Sequence, residues 1–446
     1  MSAPHDVAIV GSGPLAMAAA RRLAERDARV LVLEQGSALT DPPGSHLRNS
    51  ERFLVQPDSY LPEATQHLEF LDSTVDRTGL PGAAVTRTVG GQGVIWTNLC
   101  PRGDALWPAM SDPAWTERYQ LAERYLKVQA DKLDQSVRQQ KLGAVLDAHA
   151  GVTGRTVADL PVAGHYGQDD RLRFTGSIDI LNGGGSFDHV TIDEARVEKV
   201  VVRGDTIVGL ETDAGTVEAD AYVIAAGAIG TPQLLFWSGI RPDALGRYLS
   251  YHPLAVCQIV VDAEYCAPMG ETDIAPRLQI RPNGEVAWYT ILLQDVSPFT
   301  PTGADIDIAS SRLVEIQSIC PVDVDRDKRM IFDDHGHVTF DVPLSQADLD
   351  RMAKAEEEAH SIASAIGRIR EGCEFSWMPF GFAHMTGTTR MSAVDDGTGV
   401  ADYRGRVWGF ENLYLATNGL IPTRMSVNPT LTGVSLAIHV ADQITS

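Results

Sequence analysis

The feature that most constrains the fold is a glycine turn between an apolar strand and a helix near the N-terminus. Residues 6–10 read Asp-Val-Ala-Ile-Val, and the turn that follows carries glycine at Gly11 and Gly13. A helical pattern of small side chains and a second apolar strand, which ends at Glu34, complete a β-turn-α-β unit of about 30 residues. This unit predicts a doubly wound α/β domain that binds a dinucleotide, with its pyrophosphate at the start of the helix.

Two side chains refine this prediction. Ala16 occupies the last small-residue position of the motif, where it allows the helix to pack closely on the strand. Glu34 ends the second strand, where a carboxylate can accept hydrogen bonds from ribose hydroxyls. A carboxylate in that place repels a 2′-phosphate, so the pattern favours FAD or NAD over NADP.

The overall composition excludes several classes of protein. A formal net charge of −22 disfavours nucleic acid and anionic membranes as partners, because both require a basic surface. The five cysteines are scattered and form no Cys-x-x-Cys pair, which disfavours a disulfide framework and a dithiol reductase. The pair His335 and His337 has no third ligand nearby, so no metal site is predicted. With no recognisable signal or membrane-spanning segment, the expected location is the cytoplasm.

Three interior segments allow further structural predictions. Residues 87–98 contain three glycines within four positions, which allow the backbone to approach a flat or phosphorylated group. Residues 221–235 predict a strand, a glycine turn and a helix that begins near Thr231 and Pro232, since proline suits the first helical turn. From Val256 to about Val342, strand-like runs alternate with Pro and Gly turns, which indicates a separate antiparallel sheet.

An imidazole and an amide in the C-terminal tail are candidates for proton transfer. His384 opens the run His-Met-Thr-Gly-Thr-Thr-Arg-Met, and Asn428 opens Asn-Pro-Thr-Leu-Thr. Imidazole suits acid–base chemistry because its ordinary pKa lies near neutrality. The alternative interpretation is a packed histidine at 384 and a helix cap at 428, and capping is compatible with catalysis. His252, which precedes Pro253, is interpreted as structural.

In this order the segments resemble the glucose–methanol–choline (GMC) oxidoreductase family of FAD enzymes, in particular its pyranose oxidase and bacterial glycoside 3-oxidase branch. The matching pieces are Gly11-Ser-Gly13 with Glu34, Val89-Gly-Gly91 with Trp96-Thr97, residues 225–232, His384 with residues 387–391, residues 406–413 and residues 428–432. The resemblance implies a Rossmann-like FAD-binding domain with an inserted substrate domain built on an antiparallel sheet. The FAD domain would comprise most of residues 1–255, with surface excursions at about 40–85 and 105–190, and residues 384–446. Residues 256–383 would form the substrate domain.

The resemblance also implies roles for individual residues. His384 would be the base that removes a proton from an alcohol, and Asn428 would bind the same oxygen. Some pyranose oxidases link FAD covalently to a histidine, and this chain has Ile95 in that place, so we expect non-covalent FAD. The implied cofactor contacts are Gly11, Gly13, Ala16, Glu34, Gly90, Gly91, Trp96, Thr97 (near flavin N5), Val197, Ala226, Asn418 and Thr430.

The resemblance predicts oxidation of a secondary alcohol at C2 or C3 of a sugar or glycoside, with oxygen or a quinone as the electron acceptor. Two alternatives stay open: oxidation of a cyclitol, aminosugar or natural product, and a non-redox, lyase-like use of the scaffold. A pyridine-nucleotide disulfide reductase is excluded because the chain lacks the cysteine pair. Residues 295–311, with Gln294, Asp295 and Phe299, are the predicted specificity loop. The chain is short for this branch, which favours a monomer over a tetramer.

Overall fold

The computed structural model describes residues 5–55, 61–71, 79–80, 82–103, 107, 110, 112–169, 171–183, 185–268, 273–294, 312–334, 337–378 and 384–445. Its first sheet is parallel throughout. In spatial order, its strands are Leu413–Leu415, Ala219–Ile224, His5–Val10, Val30–Glu34 and Val190–Glu194. Strands from the beginning, middle and end of the chain thus build one doubly wound domain, and the predicted fold class is confirmed.

The first and last helices of the chain pack against each other on this sheet. Pro14–Ala24 buries a run of alanines, and Thr430–Ile444 contributes Val434, Ala437 and Ile438 to the same core cluster. Small side chains on the first helix allow the close approach. The last helix begins two residues after Asn428, so this packing brings the end of the chain to the N-terminal glycine turn.

The remaining helices lie outside this pair. Their bounds are Glu51–Val55, Leu61–Gln66, Pro113–Leu126, Val137–Val152, Ser177–Asn182, Gly227–Trp237 and Gln346–Ile366. The last of these begins at a capping box, in which Ser345 and Asp348 exchange hydrogen bonds. Among the described residues, no helix has the length and apolar character needed to span a bilayer.

The second large sheet is antiparallel. Its strands are Gly367–Ile369, Leu254–Val261, Leu313–Ile319, Tyr289–Leu293, Arg277–Ile280 and Val157–Asp159, with Ser376–Met378 paired beside Leu254–Val261. The strand Val157–Asp159 therefore joins this sheet from a part of the chain that precedes residue 256.

The two faces of the antiparallel sheet differ in character. One face packs Cys257, Ile259 and Ile316 against the helices Val137–Val152 and Gln346–Ile366. The opposite face carries Tyr289, Ile291, Leu293 and Ile319 into the core cluster that also contains Val10 and Ile224 of the parallel sheet. This second face is therefore directed toward the dinucleotide domain.

The described residues form four further, smaller sheets. They comprise Val197–Arg203 with Thr206–Thr212 and Gly215–Val217, Val128–Gln129 with Val162–Tyr166 and Leu172–Phe174, Leu68–Phe70 with Ala84–Thr86, and Arg329–Phe332 with Val338–Asp341. All five cysteines are free.

The helix after strand Ala219–Ile224 begins four residues earlier than predicted (231 − 227). The prediction of a start near Thr231 was wrong, because the helix runs Gly227–Trp237 and contains Pro232 in its interior. Proline has no N–H, so the carbonyl of Ala228 loses its helical partner. The hydroxyl of Thr388 donates to that carbonyl at 2.6 Å. A side chain from the C-terminal segment thus replaces the missing helical hydrogen bond.

Candidate active site

A long cleft follows the carboxyl ends of three strands of the parallel sheet. Val10, Glu34 and Ala225, which lie at or directly after these strand ends, all border it. The cleft holds about 1510 Å³ of atom-free space, part of which is open to solvent. Open α/β sheets bind ligands in this position, because the helix N-termini and the connecting loops converge there.

Glu34 joins three pieces of the cleft wall. One carboxylate oxygen accepts hydrogen bonds from the backbone N–H of Ser12 at 3.0 Å and from its hydroxyl at 2.6 Å, and the other accepts from the N–H of Gly36 at 2.8 Å. The Ser12 hydroxyl oxygen in turn accepts from the N–H of Gly90 at 2.7 Å. Burial raises the pKa of Glu34, while the accepted hydrogen bonds oppose that shift. The glycine turn, the second strand and the loop at Gly90 therefore hold one another in place.

The two glycines of the N-terminal turn have different functions in the structure. Gly11 has φ = +98°, and a β-carbon added to it would lie 2.7 Å from the carbonyl oxygen of Ala225. A β-carbon added to Gly13 would meet no atom within 4 Å, so its Cα faces open space in the cleft. The helix Pro14–Ala24 starts directly after it, with N–H groups suited to a phosphate. Gly11 is needed for the fold and Gly13 for the space that a ligand would fill.

One wall of the cleft combines residues of the C-terminal segment with the start of a helix from the middle of the chain. Asn418 and Thr430 border it, together with Ala226 and Gly227 at the start of the helix Gly227–Trp237. The side-chain oxygen of Asn418 is buried and has no hydrogen-bond partner among the described residues. Gly227 leaves open space where a β-carbon would stand. This wall therefore fits a ligand that carries hydrogen-bonding groups of its own, as a flavin dinucleotide does.

His384 borders the same cleft and lies in a short chain of hydrogen bonds. Its Nε2 is 3.1 Å from the amide nitrogen of Asn428, and its Nδ1 is 3.1 Å from Nδ1 of His252. The Nε2 of His252 is 2.8 Å from the carbonyl oxygen of Met425. His384 also has φ = +64°, a left-handed conformation that few non-glycine residues adopt.

Both rings are neutral over a wide pH range. Burial and, to a smaller extent, the neighbouring ring of His252 lower the pKa of His384 to about 3. Burial lowers the pKa of His252 to about 4, against a smaller opposing effect of its bond to the Met425 carbonyl. A neutral imidazole at 384 is able to accept a proton.

Most of the predicted site residues border the cleft. They are Gly11, Gly13, Glu34, Gly91, Trp96, Val197, Ala226, Asn418, Thr430 and His384. Ala16, Gly90, Thr97 and Asn428 do not border it. Ala16 is fully buried in helix packing, and the N–H of Gly90 donates to Ser12. Asn428 is buried, with its amide nitrogen 3.1 Å from Nε2 of His384.

Some residues of the site were not predicted. Ser12 and Gly227 lie inside matched motifs, yet only the structure shows that both border the cleft. His252 was interpreted as structural, and it contacts His384. The predicted specificity loop, with Asp295 and Phe299, lies outside the described residues.

Comparisons with known proteins agree with this geometry. Residues 163–254 and 332–437 match family models described as GMC oxidoreductase, and residues 9–40 match an NAD(P)-binding Rossmann-like domain. A C-glycoside 3-oxidase of Microbacterium trichothecenolyticum is 33% identical, over 99% of this chain and 97% of that protein. A pyranose 2-oxidase of Tricholoma matsutake is 30% identical, over 99% and 93%. The solved structure of a pyridoxine 4-oxidase from Mesorbium loti shares the fold, with a TM-score of 0.69 and 18% identity over 98% of this chain and 99% of that one.

Proposed function

Since the chain belongs to the GMC oxidoreductase family, and is thus a flavin-binding oxidoreductase of CH–OH groups, we propose that it oxidises a secondary hydroxyl of a sugar or glycoside, at C2 or C3, to a ketone. Relatives that match it along nearly their whole length are named C-glycoside 3-oxidase and pyranose 2-oxidase. The observation that carries the proposal is the contact of His384 with Asn428, 3.1 Å apart, at the cleft.

The cofactor of the proposed enzyme is FAD, held without a covalent bond. Gly13 and the helix that follows it would bind the pyrophosphate, and Glu34 would bind the ribose hydroxyls. Asn418, whose buried oxygen has no partner in the described part of the chain, would bind a donor of the flavin ring. The other proposed contacts are Gly11, Gly90, Gly91, Trp96, Thr97, Val197, Ala226 and Thr430, with Ala16 acting through helix packing.

The proposed reaction divides the alcohol hydrogens between protein and cofactor. The bound flavin supplies the hydride acceptor, as its chemistry requires. His384 accepts the hydroxyl proton at Nε2, because burial keeps this imidazole unprotonated and Nε2 therefore has a lone pair. The amide nitrogen of Asn428, next to the same Nε2, donates a hydrogen bond to the alcohol oxygen and stabilises its developing negative charge.

The polar side chains of the antiparallel sheet suit a sugar. On the face directed toward the dinucleotide domain, Gln258, Glu315 and Gln317 are all buried. Gln317 donates to Glu315 at 2.6 Å, and Gln258 accepts from Arg370 at 2.8 Å. A buried row of carboxylate and amide groups supplies acceptors and donors of the kind that the several hydroxyls of a sugar ring use.

We also propose an electron acceptor, an oligomeric state and a cellular location. Oxygen is the acceptor suggested by the names of the relatives, with a quinone as the alternative. A monomer is proposed because the alignment to the Tricholoma matsutake enzyme runs over 534 positions, against 446 residues in this chain. The free cysteines are compatible with a reducing cytoplasm.

The decisive experiment is an anaerobic titration of the purified holoprotein that follows its visible flavin band. The titrants are free sugars, O- and C-glycosides, cyclitols, aminosugars and simple alcohols. We expect a sugar or glycoside to bleach the band, and admission of air to restore it if oxygen is the acceptor. Bleaching only by a cyclitol, an aminosugar or another alcohol would move the assignment to a tailoring enzyme. A bound flavin that no alcohol reduces would favour the lyase-like alternative.

We expect denaturation of the protein to release the flavin chemically unchanged. The described residues that border the cleft include His384 as their sole histidine and neither cysteine nor tyrosine, and Ile95 packs in a separate apolar cluster. Precipitation with acid, followed by centrifugation, should therefore leave the yellow colour in the supernatant. A pellet that keeps the colour after washing in denaturant would contradict non-covalent binding.

A further inference from the structure

His252 occupies a position that directly opposes His384. The backbone N–H and C=O groups of Ser250 and Thr386 exchange hydrogen bonds of 3.1 and 2.8 Å in an antiparallel bridge. His252 lies two residues after Ser250, and His384 lies two residues before Thr386. The antiparallel pairing therefore places the two side chains opposite each other. Their ring planes meet at 71°, edge to face, with both Nδ1 atoms in contact.

The carbonyl of Met425 determines where His252 carries its proton. A carbonyl oxygen only accepts hydrogen bonds, so the Nε2 of His252, 2.8 Å from it, must be the N–H donor. His252 is 3% exposed, and burial away from water keeps its ring neutral. A neutral ring with its proton on Nε2 has a bare lone pair on Nδ1.

The position of the ring proton of His384 follows from that of His252. The Nδ1 atoms of the two rings are 3.1 Å apart, and this contact needs one proton between them. Because Nδ1 of His252 is bare, the proton belongs to Nδ1 of His384. The Nε2 of His384 then carries a lone pair, and the amide of Asn428 donates to it. Donation runs in one direction, from Asn428 through both rings to the Met425 carbonyl.

From this chain of bonds we propose that His252 is a positioning residue that holds His384 in the tautomer with a bare Nε2. The proposal rests on the proposed function insofar as Nε2 is the atom that takes the alcohol proton. Without the acceptor at His252, the proton of His384 is free to move to Nε2, where it blocks the base and points a donor at the substrate. Among the described residues, no carboxylate is hydrogen-bonded to either ring. The backbone carbonyl of Met425 therefore has the orienting function that an aspartate has in many other histidine sites.

Two substitutions separate this role from simple packing. His252→Leu preserves bulk and removes the acceptor. His252→Asn keeps an oxygen acceptor near the position of Nδ1. With a substrate that bleaches the wild type, we expect the limiting rate of anaerobic flavin reduction to fall by about 10- to 100-fold in His252→Leu, with apparent substrate affinity unchanged within about twofold. His252→Asn should recover most of that rate. Equal rates in the wild type and both variants, or an equal loss in both with weaker substrate binding, would contradict the proposal.

A spectroscopic test needs no substrate. Histidine-selective ¹⁵N labelling of the holoprotein distinguishes protonated from bare ring nitrogens, and the signals that vanish in His384→Asn identify residue 384. We expect a protonated Nδ1 and a bare Nε2 at 384 in the wild type and in His252→Asn, and a mixture of tautomers in His252→Leu. A wild-type His384 with its proton on Nε2 would overturn the proposal, as would an unchanged tautomer in His252→Leu. The expected pattern in a protein that no sugar reduces would support the role of His252 and contradict only the proposed substrate.

Discussion

Replacement of His384 by asparagine should leave FAD bound and reduce the rate of flavin reduction by substrate by about 10²- to 10⁴-fold, which is the usual effect of losing a positioned general base. Asparagine is chosen because it tolerates the left-handed backbone at this position, φ = +64°, at little cost. His384→Ala should show the same loss of rate, together with about 1–2 kcal/mol lower stability from the strained backbone. Anaerobic stopped-flow absorbance at the flavin band measures the rate.

The matched control is His360→Ala. His360 is exposed on the helix Gln346–Ile366, where alanine is favoured. We expect this variant to match the wild type in flavin content, stability and rate. If His384→Asn were reduced at the wild-type rate with full FAD occupancy, the assignment of the base would be wrong. If it lost FAD instead, His384 would be a cofactor-binding residue and the loss of rate would not bear on proton transfer.

Alanine at each of the two glycines of the N-terminal turn should give opposite defects. In Gly13→Ala the new methyl group points into the cleft, and the backbone, with φ = −66°, accepts alanine without strain. We expect the apoprotein to be as stable as the wild type, or more stable by up to about 1 kcal/mol. FAD affinity should fall by roughly 10- to 100-fold, because a methyl group in occupied space costs about 1–3 kcal/mol.

In Gly11→Ala the methyl group would stand 2.7 Å from the carbonyl oxygen of Ala225, on a backbone with φ = +98°. Strain and collision should lower the unfolding free energy of the apoprotein by about 1–3 kcal/mol, before any effect on the cofactor. Chemical denaturation of the apoproteins and fluorescence titration with FAD separate the two effects. Normal FAD affinity in Gly13→Ala would contradict the assignment of this cleft to the pyrophosphate.

The N-terminal unit was predictable because its residues carry local information. The glycine turn, the helix of small residues and the acid at the end of the second strand follow one another within a single motif, and each has one conformation that suits it. The capping box at Ser345 and Asp348 was predictable for the same reason. Likewise, the alternation of strands and turns after Val256 predicted the antiparallel sheet.

The features that the sequence did not predict depend on contacts between distant parts of the chain. The helix start at Gly227 depends on Thr388, which satisfies the carbonyl that Pro232 leaves open, and no local pattern near residue 227 indicates this bond. The strand Val190–Glu194 likewise pairs in parallel with Val30–Glu34, a distant segment that no local pattern near residue 190 indicates. The contact of His252 with His384 was likewise not predicted, because it depends on the bridge between Ser250 and Thr386, which joins segments that are far apart in sequence.

The hydrogen bond from Thr388 to Ala228 has a consequence for the binding of the flavin cofactor to the apoprotein. It connects the segment that carries His384 to the helix whose first residues border the dinucleotide cleft. Two regions linked in this way open and close together in local unfolding. A cofactor that orders the start of that helix therefore also reduces the entropy lost in ordering the histidine segment. Flavin binding and the ordering of the His384 segment would then be coupled. The apoprotein would not hold His384 in the position needed to accept a proton from an alcohol.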